Sequence, residues 1–402
     1  MKKKGTERVV STMEELLELA KADSLKKCLI RDITFDVTRG NASKEISECI
    51  FERCEFTETF FIHQPLVVKN CTFTDCKFKN IVIDESVRLE GCYINECDIY
   101  SLVGNSPEGT EIVNTKVLKT NFCSCYLAEH PLYIKSSRFD ICFFKDIETK
   151  ISGLLIEGSG LRECVFERVK ANKCQITHSY VSKCRVDAVL GNIGYSTISY
   201  TAIEETNFFY AHEKLESVDF VKCNLVKCSW SVGATDEVWL RFQDQTLCAR
   251  CEFSCLGDVP TWSVVEVSVS DKSTLQNCSF NRLTVKLNVF SAICENVTFS
   301  ESVVEALRFD SSEIRGEIKG IREDPSPLPF PTGWLVKVAN ADFFDSGFNA
   351  TITGLDFKEI TVTNCFCFDS CFFGVKTAPV EDAFELIEER SEDFDFVRKR
   401  IS

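Results

Sequence analysis

Two methionines, four histidines and nine prolines are all that 402 residues contain, and each shortage narrows what the chain can be. No GxSxG, HExxH, P-loop or GxGxxG context accompanies His63, His130, His178 or His212. We therefore expect neither an enzyme nor a cofactor-binding protein, with no catalytic residues to name. Basic residues are also short: 46 Lys and Arg stand against 61 Asp and Glu, a net charge of -15. Nonspecific nucleic-acid binding needs clustered cations to neutralise phosphates, so direct nucleic-acid binding is not expected. By charge alone, a basic partner or one not led by charge is favoured. No apolar run approaches the length of about eighteen residues that suggests a membrane span. The basic start at Lys2, Lys3 and Lys4 is not followed by an apolar leader segment. These shortages point to a cytoplasmic protein.

What is abundant is cysteine and phenylalanine, 23 and 33 residues respectively. An odd number of cysteines without paired spacing fits thiols kept reduced better than a disulfide framework. Their placement follows a rule. A small residue, any residue, then a large apolar residue recurs every five positions: Cys49 with Phe51, Cys54 with Phe56, Cys71 with Phe73, Cys76 with Phe78, Ile81 with Ile83. The beat returns at Cys92 with Ile94, Cys97 with Ile99, Cys164 with Phe166, Cys174 with Ile176, Cys184 with Val186 and Cys228 with Trp230.

Neither the 3.6-residue helix period nor the two-residue strand period produces a repeat of five. A square coil does. If each unit forms one side, its central large residue and the small residue two before it point inward, and the other three face water. Their occupants are polar: Glu52 and Arg53, Thr74 and Asp75, Asn95 and Glu96, Glu167 and Arg168. Cysteine suits the inner corner because it is small and readily buried.

This pattern resembles the pentapeptide-repeat family. The resemblance implies an all-β fold, a right-handed β-solenoid of quadrilateral coils, and covers most of Cys28 to Phe373. The family's usual Ala-Asp/Asn-Leu unit is scarce here, with Cys and Phe in its place.

Along the chain we expect an N-terminal capping helix over 1–27, where Ser11 and Thr12 precede Glu14 and Glu15 in a capping-box pattern. Repeats follow over 28–230. Over 231–277 the beat is lost, which predicts an irregular insertion or decorated coils. The solenoid continues over 278–378 with a Pro-rich loop at 321–334, and an acidic helical cap closes the chain over 379–402. Short α-helices should cover both ends, because an open coil exposes unpaired strand edges. The apolar side of the C-terminal segment either covers the last coil or pairs with a second subunit in a homodimer.

Two clusters have ligand-like spacing: Cys248, Cys251 and Cys255, and Cys123, Cys125 and His130. Structural zinc takes four nitrogen or sulfur ligands, and neither cluster supplies a plain fourth. Cys251 and Cys125 also fit the repeat, so we read core cysteines and assign no metal. Aromatic residues in breaks of a repetitive scaffold are candidate anchors for a partner: Trp239, Trp262, Phe330 and Trp334. The functional expectation is a non-enzymatic protein-protein interaction scaffold whose partner is another protein. The alternative, implied by the family, is a DNA-mimicking inhibitor or protector of a type II topoisomerase or another DNA-binding protein. Magnitude opposes it, since duplex DNA carries one charge per about 1.7 Å.

Overall fold

A computed structural model describes residues 8–12, 14–15, 24–35, 45–57, 61–62, 65–127, 130–149, 153–171, 174–190, 196–210, 216–233, 237–255, 263–321, 336–363, 365–367 and 372–373. The chain forms two compact units, Met1–Ser196 and Thr197–Ser402. Each is a parallel β-solenoid, in which strands pair with their equivalents one coil away.

In the first unit, one coil is the four short strands Leu66–Lys69, Thr72–Thr74, Lys77–Lys79 and Val82–Ile83. They turn at Asn70, Asp75 and Asn80, whose φ angles are 51°, 52° and 54°. This left-handed turn aims each corner N–H along the stack: Asn70 donates to the Glu90 carbonyl at 2.8 Å, Asp75 to Asn95 at 3.0 Å and Asn80 to Tyr100 at 2.9 Å. The polar corner therefore satisfies the backbone through the next coil. Central residues stack in register: Val68 beside Leu89, Phe73 beside Ile94, Phe78 beside Ile99 and Ile83 beside Gly104. Phe51 and Phe73 stack at 4.7 Å, as do Phe144 and Phe166.

The small inward residues also act as donors. Cys71 Sγ points to the Lys69 carbonyl at 3.3 Å, and Ser137 Oγ donates to the Lys135 carbonyl at 2.8 Å. Down this corner Thr115, Ser137 and Ser159 each give the backbone N–H to the hydroxyl of the next coil, at 3.1, 3.1 and 3.2 Å. Cysteine, serine and threonine share the position because each is small and carries one rotatable donor.

In the second unit the ladder runs straight through the segment expected to be irregular. Leu247–Ala249 and Glu252–Cys255 pair with Asn224–Val226 and Ser229–Val232 on one side, and both pair with the single strand Thr274–Asn281 on the other. Two long strands per coil replace four short ones beyond this point, as in Thr284–Phe290 with Ile293–Ser300. A long strand alternates in and out with a period of two, which is why the five-residue beat fades while the coil continues. Val265, Val267 and Val269 point inward and are fully buried, and Trp230, Phe253, Phe280 and Phe299 form a stack with steps of 4.7, 4.7 and 5.3 Å.

Glu14 and Glu15 are helical, and Thr12 Oγ1 accepts from the Glu15 N–H at 3.3 Å. The helix expected over 1–27 is corrected at both described ends of that range: Arg8–Val10 is a strand paired in parallel with Cys28–Ile30, and Ser24–Lys26 is a strand paired with Glu45–Ser47, so the backbone there joins the ladder of the first coils. Residues 16–23, most of the Pro-rich loop and all of 379–402 lie outside the described residues. Among the described residues no helix is long and apolar enough to cross a membrane.

Candidate interaction face

Coil stacking lines up residues that the sequence separates by about twenty positions. On one side of the first unit Tyr93, Lys116, Arg138, Gly160 and Tyr180 form a single outward column. Beside it on the same strands run Asn95, Leu118, Asp140, Arg162 and Ser182. The strands hold these side chains outward because their central residues, Ile94, Val117, Phe139, Leu161 and Val181, are buried.

Asp140 is nearly covered, with 3% of its side chain exposed, and lies between two guanidinium groups. Arg138 Nε donates to it at 2.7 Å and Arg162 Nε at 3.1 Å. A buried carboxylate needs this pairing, since an unpaired one costs several kcal/mol, roughly. The pairing also fixes both guanidinium planes at the surface. Lys116 Nζ sits 5.7 Å from the centre of the Tyr93 ring, within cation–π range. At the next corner Ile141 is 44% exposed with φ at 55°. A β-branched residue in the left-handed region is an outlier, and an exposed one has no burial to offset the strain. Tyr180, also 44% exposed, stands beside Gly160, which leaves a notch between Tyr180 and Arg138.

Three cations and one carboxylate occupy these two columns, so this face is locally positive on a chain of net charge -15. The overall charge had suggested a basic partner or one not led by charge; the charge of this face is opposite in sign to that of the whole chain.

Trp239 is half-buried in Glu237–Gln243, with its Nε1 buried and without a hydrogen-bond partner among the described residues. Trp262, Phe330 and Trp334 lie outside the described residues. Of the ligand-like clusters, Cys248 and Cys251 meet Cys278 instead of Cys255, their three sulfurs lying within 4.8 Å of one another. Cys255 sits 3.7 Å from Ser263 Oγ. The trio supplies three of the four ligands that structural zinc takes. Cys123 is half-exposed, Cys125 is buried, and His130 is fully buried with Nε2 at 2.7 Å from Thr110 Oγ1. His178 occupies an exposed corner with φ at 50°.

Three thiols far from any charged partner are held in their protonated form by burial alone. Burial pushes Cys174 and Cys294 up to about 12 and Cys223 up to about 11. Such thiols are poor nucleophiles.

No protein-family model and no curated protein matches the chain. Among solved structures it is similar to QnrB1, a plasmid-mediated fluoroquinolone resistance protein, at 13% identity over 51% of this chain and 83% of that one, with a TM-score of 0.22. HetL, a pentapeptide repeat protein of the cyanobacterium Nostoc, is 10% identical over 72% and 94%, with a TM-score of 0.18. The adhesin PfbA of Streptococcus pneumoniae is 9% identical over 87% and 86%, with a TM-score of 0.20. By its own ladder register, its inward pairs of small and large residues and its four-sided coils, the chain is a parallel β-solenoid consistent with the pentapeptide-repeat family.

Proposed function

We propose that the chain is a non-enzymatic scaffold that binds an acidic segment of another protein on the Tyr93–Tyr180 face of its first unit. The observation carrying this reading is Ile141, an exposed β-branched residue in a left-handed corner. It has no folding advantage there and stands beside the paired guanidiniums of Arg138 and Arg162 and the notch at Gly160. Tyrosine and arginine dominate protein interfaces because they combine large contact area with directed hydrogen bonds. The described tyrosines with placed side chains all lie outside the core, whereas phenylalanine fills it.

The DNA-decoy reading requires a stripe of uncompensated carboxylates. Acidic residues here are matched across coils by cations: Asp32 with Arg53, Glu55 with Lys79, Glu96 with Lys119, Asp146 with Arg168, Glu205 with Lys227. That pattern favours a salt-laced wall over a phosphate-like one, and we set the decoy reading aside.

The test is affinity purification from the native host with the intact chain and with an Arg138→Ala, Tyr180→Ala double variant, followed by quantitative mass spectrometry. A specific acidic protein should be retained by the first and lost from the second, with a binding loss of about 2 kcal/mol or more. Equal recovery with both would remove this face from the proposal.

A further inference from the structure

The interior of the first unit is not filled. Phe78, Leu89, Ile99, Leu102, Phe122 and Leu132 point inward yet keep accessible surface, because they line an internal cavity of about 190 Å³. Its walls run from Ile46 to Ile147 and span five successive coils, so the space is drawn out over roughly 20 Å along the stack. Its cause is legible in the ladder. The coil from Val87 to Gly104 places Leu89, Ile94, Ile99 and Gly104 at its four central positions, with no aromatic among them. The preceding coil has Phe73 and Phe78 in those columns, and Phe122 follows Ile99. The second unit provides the contrast: Phe242, Phe253, Phe280 and Phe299 are fully buried against one another or their neighbours.

We propose that this lumen binds the hydrocarbon chain of a free long-chain fatty acid. An apolar cavity of comparable size stays dry and accepts apolar ligands. A compact ring would fill a fraction of a space this long, whereas an unbranched chain can contact every coil it passes. The lining offers one hydroxyl, Thr110 Oγ1, and it is engaged by His130 at 2.7 Å. The lumen therefore provides nothing to pair an ionised head group.

The experiment is a fluorescence titration of the full chain with cis-parinaric acid, whose polyene emits in apolar surroundings, followed by displacement with myristate. One saturable site per chain is expected, emptied by myristate. Ile99→Phe would complete the column from Phe78 to Phe122 and should weaken binding at least tenfold while leaving the circular-dichroism spectrum and melting temperature unreduced. Should that variant misfold, Ile94→Phe, between Phe73 and Val117, replaces it with the same expectation. Lys227→Ala, at an exposed surface position of the second unit, should bind as the unaltered chain does. The proposal is overturned by absence of saturable binding, by a folded lumen-filling variant that binds undiminished, or by loss of binding in Lys227→Ala.

Discussion

At the scale of the residue, the coil separates three outward positions that look alike in the sequence. All three are polar in most repeats, but only the residue before the small inward one adopts φ near +50°, as Arg53, Asn70, Asp75, Glu96 and Lys183 do. Asparagine and aspartate hint at it; lysine, arginine and glutamate conceal it, so this part of the fold was not legible. Ile141 tests the point. Because the left-handed conformation costs an L-residue about 1–2 kcal/mol, Ile141→Gly should raise stability by about 1 kcal/mol in urea unfolding. His130 gives a second test. Its ring fills the space above Gly104, where an added Cβ would approach its Cγ to 2.6 Å. Burial lowers its pKa, and a backbone contact at Ser106 only partly opposes this. The unfolded chain therefore binds more protons than the native one below about pH 6.5, so stability falls as pH drops through and below that value. Melting curves from about pH 7.5 to about pH 5.5 should show the decline, and His130→Leu should flatten it.

At the scale of the element, the five-residue beat reports coil shape rather than coil presence. Where four short strands make a coil, as from Leu66 to Ile83, the beat is plain and the inward residues are read correctly. Where Val264–Ser270 and Thr274–Asn281 make one, the pattern reverts to alternation, which the sequence reading took as an irregular insertion or decorated coils, and the ladder continues through it. The corner column carries a further consequence. Ser137 Oγ accepts from the Thr115 N–H while donating to a carbonyl. Ser137→Ala should cost about 1–3 kcal/mol by leaving a buried N–H unpaired. Ser137→Cys should cost clearly less, since Cys92 and Cys71 hold equivalent corners. Comparing urea midpoints of the two variants decides whether size alone, or size with a donor, selects the residue.

At the scale of the whole chain, the solenoid class was legible and the candidate face was not. Tyr93, Lys116, Arg138, Gly160 and Tyr180 are unequally spaced, and only the pairing register brings them into line. The thiols give a chain-wide test. The cysteines with placed side chains are buried except Cys123 and Cys255, which are half-exposed. Of these cysteines, a maleimide reagent should label Cys123 and Cys255 first in the native protein and the others only after denaturation. Rapid native labelling of Cys174 or Cys294 would contradict the inward assignment.

The ladder also dictates how a unit yields under load. Its corner N–H bonds lie along the stack and join one coil to the next, so force applied along that direction is carried by one layer of bonds at a time. Optical tweezers attached through handles at the ends should therefore record peeling in small, similar steps, each releasing about 22 residues, or roughly 70 Å of extended chain. A tissue-like toughness would need bonds sheared in parallel; this architecture unzips, and each layer it loses leaves an intact template on which the strand can wind back.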